Sequence, residues 1–505
     1  MKALAVLMGA ALALCAARAA AQPDEALPRV RVKVESGVLV GLQRPAANVF
    51  RNVPYAAPPV GPLRWRPPRP AKPWSGQREA TTVGPSCPQP MNPDGTPNLG
   101  AANGPTSEDC LQLNVFAPRS AKKAPVMVWL HGGGHFTGAG WVYDGSNFAR
   151  DGVVFVAINY RLGALGYFAH PALTGAAGAE PLGNYGQMDQ IAALRWVQRN
   201  IAAFGGDPRN VTVFGESAGG GSTLALLATP AARGLFRKAI VESGGGWSPP
   251  ATLAKKEAEG AAALAAIGVP AAATAAELRA LPVEKLVALK GSYGPFVDGR
   301  LMTETPAQAL ADGHFDDVPL IIGSNSGEDS LMGPSPLAPQ ALHIADDVRR
   351  LYAEESAGGD EAIARAAFTD RVMGGPARWV AAKASSGRPA WLYYFSYVGS
   401  RFRPAMTRAS HAAEIQYVLE YWGRRTPLSV VSDEDRRMAS LMHACWVAFA
   451  RTSVPRCGGL DWPAYTPETD QLMEFGVGAG VRTHLRKRQL DAVESATLPK
   501  LELAR

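Results

Sequence analysis

The stretch Asn210 to Ser222, NVTVFGESAGGGS, decides how the chain folds. A short unbroken apolar run, Val211 to Phe214, leads directly into Gly215-Glu216-Ser217-Ala218-Gly219, and a helical run from Thr223 to Ala228 follows. This is the G-x-S-x-G pattern in its strand–turn–helix setting. Glycines two residues before and two after the serine let the backbone bend sharply enough to project the Ser217 Oγ from the end of a strand. The helix N-terminus behind the serine favours negative charge developing there. The five residues alone recur by chance; the flanking strand and helix make Ser217 a candidate nucleophile.

Outward from that stretch the texture repeats. Val126 to Leu130, Val153 to Ile158, Ile240-Val241 and Leu320 to Ile322 are short apolar runs of the kind that parallel strands buried on both faces require. Between them, Met188, Ile191, Leu194, Val197 and Ile201 recur at helical spacing and stop at Gly205-Gly206-Asp207-Pro208. Alternation of this kind predicts an α/β fold, a large, mostly parallel central sheet with helices on both faces. Near the start, Val30, Val32 and Val34 alternate with Arg31 and Lys33 before Ser36-Gly37, which predicts an antiparallel hairpin with one wet face. Pro58-Pro59 and Pro67-Pro68 exclude regular helix from the segment between Pro54 and Pro73. Residues 251–290 are Ala-rich and broken by Pro270 and Pro282, yet Leu264, Ile267, Leu278, Leu281 and Leu286 give them apolar faces. Short helices covering the catalytic face of one domain, residues 22–505, are expected there.

The first 21 residues carry an export signal: Lys2, then an apolar run, then Ala19-Ala20-Ala21 before Gln22 as an A-x-A cleavage site. Cys15 is no lipid-anchor cysteine on this reading, because bulky Leu14 precedes it. Past the leader, 49 Lys and Arg stand against 44 Asp and Glu, and the longest basic run is Arg486-Lys487-Arg488. That balance excludes a nucleic-acid binder, and no later run is long enough to anchor the chain stably in a membrane. The expected location is outside the cytoplasm, secreted or periplasmic. Four cysteines remain, Cys87, Cys110, Cys445 and Cys457. In an oxidising compartment pairing is favoured, and the two local closures, Cys87–Cys110 and Cys445–Cys457, are expected. Metal binding is not: no C-x-x-C or Cys/His cluster occurs, and His131 and His135, four apart, flank a triple glycine that makes poor helix.

The remaining chemistry is read from position. His131-Gly132-Gly133-Gly134 follows the Val126 to Leu130 strand. Three glycines remove every side chain, so backbone N–H groups can face a reacting centre and stabilise an oxyanion, with the N–H of Ala218 as a further donor. In this fold the order is serine, acid, histidine. Of the later histidines, His443 and His343 fall in helical patterns and His484 in a basic tail. His411, after a loop-like stretch beyond the strand Trp391 to Tyr397, suits a base above a sheet edge. Glu328 and Asp329, just past the strand Leu320 to Ile322, both qualify as the acid.

These residues carry a resemblance. Asn52 to Ala56 with Pro59-Val60-Gly61, Ser107 to Leu111, His131 to Gly134, Asn159-Tyr160-Arg161, Asn184-Tyr185-Gly186, Phe204 to Pro208 and Gly215 to Gly219 are similar to the motifs of type-B carboxylesterases. That is the cholinesterase-like branch of the α/β-hydrolases, matched over nearly the whole mature length. The resemblance implies Ser217 as nucleophile, Glu328 as triad acid, His411 as base, and Gly133, Gly134 and Ala218 as oxyanion donors. It implies a Cys87–Cys110 disulfide, places Glu216 and Ser243 beside the site, and implies a cofactor-free hydrolase using a small-molecule ester and water. Ala412 stands where the family usually has glycine after the histidine, and Asp329 where it has a small residue. Phe136, Trp141, Trp247 and Tyr417 are candidates to line an apolar gorge. A catalytically dead binding protein on the same scaffold is the rival reading, and every triad position here carries a competent side chain.

Overall fold

The computed structural model describes residues 27–247, 251–338, 342–422 and 426–503. The expected leader, residues 1–21, lies outside the described residues.

The alternating valines form β1 (Arg29–Val34), which turns at Ser36 into β2 (Gly37–Gln43) as an antiparallel hairpin. The antiparallel part reaches further than a hairpin, because β3 (Asn48–Pro54) and β5 (Gln112–Ala117) extend it, while β4 (Gln77–Glu79) runs parallel beside β2. The parallel body is β6 (Ala124–Leu130), β7 (Val154–Ile158), β8 (Gly206–Glu216), β9 (Lys238–Glu242), β10 (Leu320–Asn325), β11 (Ala390–Phe395) and β12 (Gln471–Phe475). An antiparallel edge strand, β13 (Gly480–Thr483), closes the far side. The resulting sheet has 13 strands in the order 1-2-3-5-7-6-8-9-10-11-12-13, with β4 off that path.

The unbroken apolar runs have their physical reason in two cores. Val126, Val128, Val156, Val213 and Val241 point into one buried cluster, and Met127, Trp129, Phe155, Phe214 and Ile240 into another on the opposite face. Successive residues of a strand point to opposite faces, so a strand covered on both sides can carry no polar alternation. The helix Tyr185–Asn200 buries Ile191, Leu194 and Val197 on the first face, and the helix Asp433–Thr452 buries Met442, Trp446 and Phe449 on the second. The Ala-rich region forms helices Leu253–Ala266, Ala275–Arg279 and Val283–Val287, with Leu264, Leu278 and Leu286 buried. Between Pro54 and Pro73 the one helical element is the short turn Gly61–Leu63. One expectation fails: His343 is exposed outside any helix, because the helix of its segment, Asp346–Leu351, begins only three residues later, with Asp346 and Asp347 in its first turn.

Both local disulfides form, Cys87–Cys110 with Cα atoms 5.0 Å apart and Cys445–Cys457 at 4.7 Å. The first closes the loop rich in Pro, Gly and Asn. Its base is clamped by Arg64, whose guanidinium takes both Glu108 oxygens, at 2.7 and 2.5 Å. Among the described residues no helix is long and apolar enough to cross a membrane.

Candidate active site

Strand β8 ends at Glu216, and the helix Ala218–Leu227 begins two residues later, so the turn falls on Ser217 alone. Its φ of 56° is left-handed, a conformation costly for a residue with a Cβ. Neighbouring backbone holds it there: the Ser217 N–H donates to Glu242 O at 2.8 Å and Ser217 O accepts from the Gly221 N–H at 2.8 Å. The flanking glycines are sterically required. A Cβ on Gly215 would lie 2.5 Å from Leu130 O, and one on Gly219 only 2.0 Å from the same oxygen.

The triple-glycine loop leaves β6 and lies against this turn. A Cβ on Gly132 would meet Ser217 Cβ at 3.1 Å and a Glu216 carboxylate oxygen at 2.6 Å. Gly133 and Gly134 follow with φ of 102° and 64°, and Gly133 O is tied down by the Thr137 N–H at 3.0 Å. Among the described residues neither the Gly133 nor the Gly134 N–H has a backbone acceptor, and the first-turn N–H of Ala218 has no intrahelical acceptor by position. His131 buttresses the loop, with its Nδ1 2.9 Å from Gly132 O and its ring stacked 4.4 Å from Tyr160. His135 turns to a different partner, Ser222 Oγ at 2.9 Å.

His411 lies where segment 410–414 crosses the sheet edge. Its Nδ1 is 2.5 Å from Glu328 Oε2, and its backbone N–H donates to Ser330 Oγ at 2.8 Å. The other Glu328 oxygen accepts from Ser243 Oγ at 2.6 Å and from the Asn325 N–H at 2.7 Å, so that fully buried carboxylate is pinned at both ends. Asp329 faces the other way, toward Arg408 at 3.1 Å, Arg365 at 3.7 Å and Thr369. The pair left open by position is thereby separated: Glu328 meets the imidazole and Asp329 meets guanidinium groups. The second ring nitrogen, Nε2, is 3.1 Å from Oε1 of Glu216, the residue before Ser217. Among the described residues no hydrogen bond joins it to the Ser217 hydroxyl, a contact that often tightens only when substrate is bound.

The electrostatics around this ring were not legible beforehand. Glu216, Glu242, Glu328 and Glu414 are all buried. Glu242 takes the Trp446 Nε1–H at 2.8 Å and Glu414 takes Asn325 Nδ2 at 2.5 Å. Four carboxyls packed together cannot all ionise. Burial, then repulsion from Glu216 and Glu328, pushes Glu414 up to about 8. Burial, then Glu414, holds Glu242 well above the ordinary carboxyl range. Burial alone would drive a proton off His411, but Glu216, then Glu328 and Glu414, outweigh it and hold the ring above the usual histidine range.

Two cavities border the site. One, of about 280 Å³, is lined by His411, Tyr143, Tyr397, Phe402 and Tyr417. The other, of about 580 Å³, is lined by His135, Gly221, Trp247, Phe296, Met302 and Met373. Of the four aromatic candidates, Trp247 and Tyr417 do line a cavity. Phe136 borders a minor one of about 60 Å³, and Trp141 donates to Ser86 Oγ at 2.9 Å instead.

The carboxylesterase family model matches residues 28–357 and 340–493. The chain belongs to the carboxylesterase family. This carboxylesterase is 37% identical to fumonisin B1 esterase of Sphingopyxis macrogoltabida, over 91% of its own length and 89% of that protein's. It is 35% identical to para-nitrobenzyl esterase of Bacillus subtilis (strain 168), over 88% and 94%. A solved PNB esterase structure superposes with a TM-score of 0.78 at 33% identity, covering 91% of this chain and 99% of the other. The fold is that of the α/β-hydrolases, and the chain is a serine hydrolase acting on carboxylic esters. Glu242, Glu414 and Asn325 are the site residues that the sequence reading had assigned no role. Of the three only Glu242 carried a signal, an acidic residue directly after the apolar run Ile240-Val241.

Proposed function

We propose that the chain is an exported carboxylesterase of one catalytic domain that works through an acyl-enzyme on Ser217. His411 is the general base and acid, Glu328 orients it, and the N–H groups of Gly133, Gly134 and Ala218 receive the oxyanion. The observation that carries the reading is the placement of His411. One ring nitrogen is 2.5 Å from a pinned, fully buried carboxylate, and the other lies beside the residue preceding the serine. That keeps Nδ1–H on Glu328, so that in the neutral ring the Nε2 lone pair faces the nucleophile's side. His411 takes the Ser217 proton as Oγ attacks the ester carbonyl, then returns it to the departing alcohol. Water, activated by the same ring, clears the acyl group. Ser243 and Glu216 act from outside the bonds that change, the first by holding Glu328 and the second by its charge beside the imidazole.

The leaving oxygen must meet His411, so the aromatic cavity that His411 borders suits the alcohol portion. The larger cavity behind the oxyanion loop suits the acyl portion. The test is Ser217→Ala, with 4-nitrophenyl acetate turnover and fluorophosphonate labelling as readouts. Both should vanish, a loss of at least about 10⁴-fold, while the thermal transition stays in place. Turnover within tenfold of the parent would overturn the assignment.

A further inference from the structure

The oxyanion hole is assembled from two pieces of chain that leave the neighbouring strands β6 and β8, whose last paired residues are Leu130 and Gly215. The Gly133 and Gly134 N–H groups belong to the loop after β6, and the Ala218 N–H to the helix after β8. His135 joins these two pieces. It directly follows Gly134, it is buried, and its Nε2 lies 2.9 Å from Ser222 Oγ, one helical turn beyond Ala218. We propose that His135 is a positioning residue, a strut that sets the distance between the loop donors and the helix donor of the oxyanion hole. The proposal rests on the serine hydrolase reading above.

Three features separate a strut from ordinary core packing. First, His135 sits at φ 60°, a left-handed conformation that an L-residue adopts only when its surroundings over-determine it. The carbonyl side is fixed as well, since His135 O accepts from the Gly163 N–H at 2.8 Å. Second, the far end is anchored. Ser222 is fully buried, and its Oγ also accepts from Gln190 Nε2 at 2.9 Å, which ties the contact to the helix Tyr185–Asn200. Tyr167 packs edge-on against the imidazole, with centroids 5.0 Å apart. Third, the ring is unsuited to the other work histidines do. Burial, then the neighbouring His131, pushes its pKa down to about 3, so it stays neutral and carries no proton between substrate and solvent at ordinary pH. A neutral ring of fixed length joining the two halves keeps the donors aimed at one point, and preorganisation of that kind is what an oxyanion hole requires.

The experiment compares His135→Asn, His135→Gln and Ser222→Ala in the full chain. Asparagine tolerates the left-handed backbone but is too short to reach Ser222, whereas the glutamine amide nitrogen reaches the position of Nε2. His135→Asn and Ser222→Ala should each lower kcat by about 10- to 100-fold with KM changed by less than about threefold. The double variant should be no worse than either single one, and His135→Gln should recover most of the loss. An aryl trifluoromethyl ketone adds to the serine and presents an oxyanion. Its inhibition constant should rise by the same factor by which kcat/KM falls, while inhibition by 4-nitrophenol stays unchanged. Full kcat in Ser222→Ala, or a loss of activity with trifluoromethyl ketone affinity intact, overturns the strut. Should His135→Asn not fold, Ser222→Ala alone still decides between these outcomes. If the parent enzyme itself fails to react with a fluorophosphonate, the hydrolase reading falls and takes this inference with it. If the parent reacts and the variants react equally fast, only the strut falls.

Discussion

A single residue after the histidine shows how a departure in sequence becomes strain in structure. Ala412 has φ 63°, in the left-handed region where glycine incurs no Cβ penalty, so the glycine usual at this place has a steric reason. The turn survives because the backbone on both sides is bonded: the His411 N–H to Ser330 Oγ at 2.8 Å, and the Ala413 N–H to Ser410 O at 3.1 Å. Replacing Ala412 with glycine removes the strain. It should stabilise the protein by about 1 kcal/mol in urea unfolding without lowering turnover; a drop in midpoint would show that the alanine methyl earns its place by packing. Asp329, the other departure, is explained by its partners, since it pairs with Arg408 and Arg365 and makes no contact with the imidazole.

At the scale of elements, the parallel strands explain the acidic cluster. Glu216 ends β8, Glu242 ends β9 and Glu328 lies just past β10, and neighbouring parallel strands deliver their ends to one edge of the sheet. The segment carrying His411 crosses that edge and adds Glu414. The consequence for pH has a definite sign. In the proposed mechanism only neutral His411 can accept the serine proton, so activity should fall as pH drops through the histidine pKa. The surrounding carboxylates, Glu216 foremost, raise that pKa and move the acid limb upward. Glu216→Gln removes one charge at constant shape, so the acid limb of kcat/KM should shift to lower pH by about one unit. An unshifted limb would mean that Glu216 carries no charge in the working enzyme.

For the whole molecule, two apolar cores fill the faces of one sheet, and the N-terminal loops reach the first of them through Tyr55, Trp65 and the Cys87–Cys110 disulfide, with the Arg64–Glu108 ion pair beside it. Removing Cys87–Cys110 by a double serine substitution should cost about 3 kcal/mol, read as a denaturation midpoint lower than the parent's with both measured without reducing agent, so that Cys445–Cys457 stays closed in each. The buried runs from Val126 to Leu130 and from Val211 to Phe214, the bend at Ser217 and the glycine loop were legible in the chain. Each answers a local requirement: apolar atoms on both faces of a strand, a left-handed turn, the absence of a Cβ where two backbones meet. His411 was legible from its placement and from motif likeness; position alone left Glu328 and Asp329 open, motif likeness pointed to Glu328, and the fold turns that residue toward the ring and Asp329 toward arginine. The approach of Glu414 to the same imidazole, the burial of Glu242 against Glu414, and the reach of His135 to Ser222 were not legible at all. Backbone conformation is encoded within a few residues of where it occurs. Coulomb energy and hydrogen-bond geometry depend on separations in space, which exist only once distant segments have been packed together.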